Sequence, residues 1–314
     1  GGTVTGNMLT NDTDADFDDL EVVSEPTITK GSFNSFNLET GEFEYLAPVD
    51  WAGNVIFSYT ITDGQDQDIG EVTIQVVDTI VPVVVARDTT LNLNSSGEVS
   101  ILASELDHGS SDNIGITGFS LDRNTFYCSD VGNDPRVTLT AEDAAGNTAT
   151  NTATITVLDK VSPGLTINNI TVQLNSSGEA SIINSDLVES ASDACGVIDT
   201  TLSQYNFDCD EVGDVSVDVT VEDVNGNTTT KTAAVTVEDN IPPTVLTKDI
   251  TVYLDASGAA SIVPADIDNG STDNCGIDSY SLDIDAFDCS NVNNPVTVTV
   301  TVTDVHSNSA RNTA

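Results

Sequence analysis

Basic side chains and histidine are nearly missing from this chain. Eight Lys and Arg stand against 51 Asp and Glu, a formal net charge of -43. Nucleic acid and anionic membranes would both repel such a polyanion, which excludes them as electrostatic partners. His108 and His306 are the two histidines. Neither falls in an H-E-x-x-H or triad spacing, and no P-loop or dinucleotide fingerprint occurs. The carboxylates are numerous enough to supply a glycosidase pair by chance, but they lie in repeated turns, so no enzyme is expected. There is no run of 18 or more apolar residues, hence no segment that reads as a membrane span. No stretch sustains a 3.6-residue period, which leaves helix almost absent. Aromatics amount to 5%.

What is present is strict alternation. Hydrophobic residues make up 38% of the chain and fall at every second position in stretches such as Val296, Val298, Val300 and Val302, a strand pattern that argues against disorder. A nine-residue seam occurs three times: IQVVDTIVP from Ile74, ITVLDKVSP from Ile155 and VTVEDNIPP from Val235. Each is a strand end, an acid (Asp78, Asp159, Asp239) and a proline that stops pairing. The acids lie 81 and 80 residues apart, an interval that suits small domains. The expected boundaries are 1–79, 80–160, 161–240 and 241–314. A fourth seam acid would fall near position 320, so the last domain is expected to lack part of its final strand, as in a segment of a longer exported polypeptide.

Residues 1–79 differ from the rest. They carry the acidic loop NDTDAD from Asn11, an F-x-Y-x-x-P…W-x-G segment through Phe43, Tyr45, Pro48, Trp51 and Gly53, and the strand end F-x-Y-x-I-x-D-G from Phe57 to Gly64. Together these resemble bacterial cadherin-like tandem repeats. Residues 80–314 are three copies of one module. Each has a Ser-Gly turn at Gly97, Gly178 or Gly258, suited to positive φ, then an acidic loop SDNIG, SDACG or TDNCG, an F-x-C segment, and a long alternating strand closing on AAGN, VNGN or VHSN. About seven short strands per copy read as an immunoglobulin-like β-sandwich. The D-N-C-G loop at Asp273–Gly276, the F-x-C at Phe287–Cys289 and the D-x-x-G-N turns at Asp143–Asn147 and Asp223–Asn227 resemble the immunoglobulin-like modules related to hyalin repeats, common in giant Bacteroidetes surface proteins. The third turn departs from that pattern, with Ser307 in place of the glycine. The expected fold is all-β, a tandem array of immunoglobulin-like and cadherin-like β-sandwiches.

Of five cysteines, Cys195 and Cys209 are 14 apart, as are Cys275 and Cys289. That spacing allows one short strand out and one back, so the expected bridges are Cys195–Cys209 and Cys275–Cys289, each closing a loop of about 15 residues worth roughly 3 kcal/mol. In the first copy Ile114 takes the partner's place, leaving Cys128 alone, either as a small buried hydrophobe or as a reactive or intermolecular thiol. Bridges imply an oxidising, extracellular setting.

The acids are the candidate site residues. In an immunoglobulin-like sandwich the second-to-third and sixth-to-seventh strand loops lie at the pole where the first strand enters. Three acids are therefore expected to meet at each seam: Asp78 with Asp112 and Asp143, Asp159 with Asp193 and Asp223, and Asp239 with Asp273 and Asp304. Crowded carboxylates need a divalent cation, and hard oxygens on flexible loops suit Ca2+, with Asn113 or Asn274 and loop carbonyls completing the shell. A single aspartate of this kind is ordinarily a solvated turn residue; the threefold recurrence carries the expectation. In the first domain, Asn11, Asp12, Asp14 and Asp16, with Asp63 from the strand end, resemble the cadherin-like calcium loop.

The expected function is structural. It is a calcium-stiffened, rod-like stalk segment of a large bacterial cell-surface adhesin of the kind used in attachment and, by resemblance, gliding. Its partners would be the neighbouring repeats, with a surface or glycan ligand held by other regions. At roughly 35–45 Å per domain, four would reach on the order of 150 Å. The rival expectation is a carbohydrate- or protein-binding module in the first domain, where Trp51 could stack a sugar, although a core or loop-anchoring role suits it better.

Overall fold

Alternation in the sequence becomes sheet in a computed structural model that describes residues 1–314. The chain divides into two compact units, Gly1–Asp159 and Lys160–Ala314.

In the first unit, residues 3–76 form two three-stranded sheets. One orders Thr3–Asn7, Glu42–Leu46 and Ser32–Phe36; the other orders Glu21–Val22, Gly53–Thr62 and Gln67–Val76. Because strand side chains alternate between faces, Phe43 and Tyr45 of the first sheet and Val55, Phe57 and Tyr59 of the second point into one buried cluster. Phe33 stands edge-on to Phe43 and Phe57, with ring centroids 5.7 and 5.5 Å away. Trp51 is partly buried and packs on the same cluster, consistent with an anchoring tryptophan.

The rest of this unit is built on a four-stranded sheet of order Thr89–Asn92, Thr148–Leu158, Arg136–Asp143 and Ile116–Leu121. Its first pair is parallel and the others antiparallel. A two-stranded ribbon, Glu98–Ser100 with Thr125–Tyr127, lies apart from that sheet in the ladder pattern and supplies the buried Phe126.

The second unit repeats this plan. Ile170–Gln173, Thr228–Glu238, Gly213–Asp223 and Val197–Leu202 form the four-stranded sheet, and Glu179–Ser181 with Asn206–Asp208 forms the ribbon. Val217, Val219, Val221, Val235 and Phe207 share one core with Leu187. Further along, Ile277–Leu282, Thr299–Asp304 and Ser309–Thr313 form a three-stranded sheet, with a ribbon of Ala259–Ser261 and Ala286–Asp288. The parallel pairing of Ile170–Gln173 with Val235–Glu238 has no counterpart here. The last strand ends at Thr313, short of that register, and Ile250 to Tyr253 join no ladder. A cleft of about 550 Å³ runs beside this stretch, lined by Val252, Ile262, Phe287 and Val298 among others.

Three one-turn helices, Ala103–Leu106, Asn184–Leu187 and Pro264–Ile267, occupy the same place in each copy and bury Leu106, Leu187 and Ile267. In each, an acid reaches back to the amide that opens the turn. Glu105 accepts from Leu102 N–H at 2.8 Å, Asp186 from Ile183 N–H at 2.7 Å and Asp266 from Val263 N–H at 2.8 Å. The Ser-Gly turns take the expected form, with Gly97, Gly178 and Gly258 at φ of 74, 75 and 77°.

The cysteines pair otherwise than the spacing suggests. Neither Cys195–Cys209 nor Cys275–Cys289 forms. Cys209 is bonded to Cys275, 66 residues on, and Cys289 is a free, exposed thiol. Cys128 is itself disulfide-bonded, as is Cys195. The reason is directional. The F-x-C sulfur sits on the turn of its own ribbon, 3.7 Å from Gly178 O, and faces the acidic loop of the following copy, where Asn274 O is 3.6 Å away. The bridge therefore ties successive copies together rather than closing a loop within one.

Candidate metal sites at the seams

Asp78 and Asp239 are drawn inward because their strand ends lie over the turns of the next sandwich, where Asn147 and Asn308 donate to their carbonyls. Asp78 is 8% exposed and Asp143 2%, and Asp143 holds its turn closed with one oxygen. Its Oδ1 accepts from Ala145 N–H and Asn147 N–H, both at 2.8 Å, while Oδ2 accepts from Asn147 Nδ2 at 2.8 Å. That same amide nitrogen lies 3.2 Å from Asp78 O and thus links turn and seam. Asp78 Oδ1 accepts from Ile80 N–H at 3.1 Å and Asn113 Nδ2 at 3.2 Å. Asp112 Oδ2 accepts from Ile114 N–H at 2.8 Å and Gly115 N–H at 3.2 Å.

What these bonds leave over defines the site. Asp78 Oδ2, Asp112 Oδ1 and Asn113 Oδ1 are buried with no hydrogen-bond partner. Asp78, Asp112 and Asp143 each bring a carboxylate oxygen within 4.8 Å of the other two. At such a separation two like charges repel by about 3–4 kcal/mol at an effective dielectric of about 20. Burial pushes the Asp143 carboxyl up, but the hydrogen bonds from Asn147 and the turn amides outweigh it and hold the group below the ordinary carboxylate range, so it stays charged.

In the second unit the pattern repeats at Asp239, Asp273 and Asp304, whose oxygens also approach within 4.8 Å. Asp239 Oδ1 accepts from Asn274 Nδ2 at 3.1 Å and Ile241 N–H at 3.2 Å. Asp273 Oδ1 accepts from Cys275 N–H at 2.8 Å, and Asp304 Oδ1 from Asn308 N–H at 2.8 Å. Asp273 Oδ2, Asn274 Oδ1 and Asp304 Oδ2 are again buried and unpartnered. Here one feature is new: His306 Nδ1 lies 3.1 Å from Asp239 Oδ2. Burial raises the Asp239 carboxyl, and Asn274, the Ile241 amide and His306 together bring it below its usual range. His306 is thus part of this cluster, and only its position two residues after Asp304 could have signalled that. Cys275 also lies near Asp239 and His306, but its sulfur is in a disulfide and is no thiolate ligand, which removes the soft donor a zinc site would use.

The remaining candidate residues are placed as follows. Asp159 ends the first unit and is 8% exposed. In the second unit, Asp193 Oδ1 accepts from Cys195 N–H at 2.7 Å, and Asp223 closes its turn on Asn225 and Asn227 as Asp143 does. Three of the candidate acids in the first domain accept hydrogen bonds within it. Asp12 Oδ2 accepts from the Tyr59 hydroxyl at 2.7 Å, Asp14 Oδ1 from Asp16 and Asp18 N–H, and Asp63 Oδ1 from Gln65 and Asp66 N–H. Burial, with the Asp12 carboxylate beside it, pushes Tyr59 up to about 12. No group of three acids within reach of one ion draws on Asp12, Asp14, Asp16 or Asp63. Asn11 opens that loop.

The donor set fits a hard cation. Two Ca–O bond lengths span about 4.6–5.2 Å, which the oxygen separations at both seams accommodate. Carboxylate and amide oxygens on turns are calcium's ordinary ligands. No helix is long and apolar enough to cross a membrane.

Comparison with known proteins gives three similar folds among others. Protocadherin gamma B7 extracellular cadherin domains 1–4 are 14% identical over 94% of this chain and 91% of that one, with a TM-score of 0.32. Drosophila N-cadherin EC1–4 is 15% identical over 94% and 90%, at 0.30. Mouse PcdhgC3 EC1–3 is 15% identical over 74% and 95%, at 0.30. No curated protein matches. Residues 1–75 match the family of bacterial Ig domains. The chain is all-β, with a bacterial Ig-like domain at its start and several immunoglobulin- and cadherin-like β-sandwich domains in tandem.

Proposed function

We propose that this chain is a stalk segment of an extracellular adhesin, four sandwich domains (1–79, 80–160, 161–240 and 241–314) stiffened by Ca2+ at their seams. Asp78, Asp112, Asp143 and Asn113 would hold one ion, and Asp239, Asp273, Asp304 and Asn274 another. The same residue types recur at Asp159, Asp193 and Asp223. A bound Ca2+ supplies the positive charge that three crowded carboxylates lack. The carrying observation is the buried, unpartnered oxygens, two from carboxylates and one from an amide at each of the two seams. Unpaired buried charge is costly, and a cation that meets all three oxygens at once removes that cost. Attachment at a bacterial surface, and gliding in particular, belong to the same proposal and rest on the sequence resemblance alone.

Chelation tests it. Ca2+ at about 100 times its dissociation constant adds about 2.7 kcal/mol to the folded state. Removal with EDTA is therefore expected to lower the melting temperature by on the order of 10 °C, with recovery on adding Ca2+ but not K+. An unchanged melting temperature would sink the calcium reading.

A further inference from the structure

The free thiol of Cys289 is one member of a repeated set whose other members are spoken for. Cys128, Cys209 and Cys289 occupy the same F-x-C position, and both Cys128 and Cys209 are disulfide-bonded. The second and third copies are alike around the sulfur. Each cysteine opens a 3-10 turn, Cys209–Glu211 or Cys289–Asn291. Each follows a ribbon strand in the same register, with Asp208 opposite Glu179 and Asp288 opposite Ala259. Each Sγ lies beside the turn glycine's carbonyl, at 3.7 Å from Gly178 O and 3.8 Å from Gly258 O.

In the second copy this arrangement receives a loop. Cys209 is bonded to Cys275 of the D-N-C-G loop that follows, with Cα atoms 5.3 Å apart. The turn glycine is required there. A Cβ on Gly178 would lie 2.7 Å from Cys209 Sγ and 3.0 Å from Asn274 O, so a larger residue would push the incoming loop away. Gly258 keeps the same flank clear, since a Cβ there would lie 2.8 Å from Cys289 Sγ. The docked loop also carries Asp273 and Asn274, so the bond fixes two of the candidate ion donors in place.

We propose that Cys289 and the Gly258 turn form a covalent docking point for another module of this kind, one whose acidic loop has the D-x-C-G cysteine. The bond forms by loss of one proton and one electron from each thiol. The electrons pass to a disulfide oxidant, a small-molecule disulfide or an oxidoreductase disulfide, which is reduced to two thiols. Such coupling would make the array continuous across the joint and does not depend on calcium.

The test extends the chain by one period. Ala314 and Ala233 are equivalent, because Val300 pairs with Asn312 as Val219 pairs with Lys231. Residues 234–314 are therefore appended after Ala314, with Cys289→Ser in the appended copy to leave one free F-x-C thiol and Ile277→Val there to mark its loop peptide by mass, and the chain is refolded with oxidised glutathione. Free thiols are alkylated, and disulfide-linked peptides are identified by mass spectrometry. Cys289 is expected to appear linked to the appended copy of Cys275, with its alkylation at least tenfold lower than in the parent chain. In a Cys289→Ser version the appended Cys275 should become alkylated instead. The Cys209–Cys275 peptide, recovered from every chain, reports that the array has folded. Full alkylation of Cys289 in an extended chain that retains Cys209–Cys275 overturns the proposal, as does a bond from Cys289 to any other cysteine.

Discussion

Ser307 sits at φ 76°, where the corresponding turns have Gly146 at 88° and Gly226 at 86°. The turn is no looser for it: Ser307 N–H reaches Asp304 O at 3.3 Å, the same distance as Gly146 N–H to Asp143 O. The departure from D-x-x-G-N therefore costs strain rather than geometry. A left-handed conformation costs a side-chain-bearing residue about 1–2 kcal/mol, partly offset by the greater freedom glycine gains on unfolding. Ser307→Gly is expected to stabilise the third copy by up to about 1 kcal/mol, read as a rise in melting temperature of on the order of 4–8 °C; a fall would show that Ser307 makes a compensating contact. At this scale the sequence was a good guide to the turns, because Asp-x-x-Gly-Asn leaves the backbone few alternatives. It misled on the cysteines. Spacing within one copy offered a plausible 15-residue loop, while the direction of the Cys209 sulfur, toward the next copy, is set by packing that no spacing records. One hint was available: the loop cysteine is replaced by Ile114 in the only copy preceded by a stretch, residues 1–79, without cysteine.

Among elements, strands were legible and the one-turn helices were not. Four residues such as Asn184–Leu187 are too few for a helical period to show, and their only apolar anchor, Leu187, reads equally well as a strand end. A second element-level feature is a side chain that caps the long strand's edge. Asp122 Oδ1 accepts from Thr138 N–H at 2.8 Å and Asp283 Oδ1 from Thr299 N–H at 2.7 Å, whereas in the middle copy Ser203 Oγ accepts from Asp218 N–H at 2.9 Å. The Thr138 and Thr299 amides hold the two carboxyls below their ordinary range. A carboxyl with a lowered folded pKa stabilises the fold above its unfolded value of about 3.9, and that contribution disappears as pH falls through the folded value. A chain with both Asp122→Ser and Asp283→Ser, which copies the arrangement at Ser203, is thus expected to lose less melting temperature between pH 6 and pH 3 than the parent. Equal losses would assign acid sensitivity to other carboxylates.

For the whole molecule, the same short seam that marks the period also brings carboxylates together, and 51 acids against 8 bases make cations the natural counterpart. The Cys209–Cys275 bridge adds a metal-independent tie between copies, worth about 4 kcal/mol in the chain-entropy model for a loop of this length. The seam triplets at Asp78 and Asp239 could be read from sequence because they recur; their unpartnered oxygens could not, since each depends on which lone pair a turn amide already occupies. In the loop from Asn11 to Asp16, by contrast, Asp12 accepts from the Tyr59 hydroxyl and Asp14 from the Asp16 and Asp18 amides.

Titration calorimetry of Ca2+ into the metal-stripped chain is the most direct test of ions at the seams. Saturable binding of at least two ions per chain is expected, with one lost in Asp112→Asn, a second lost in the double substitution with Asp273→Asn, and both variants still folded. Absence of saturable heat, or binding that these two substitutions leave unchanged, would contradict calcium at the seams.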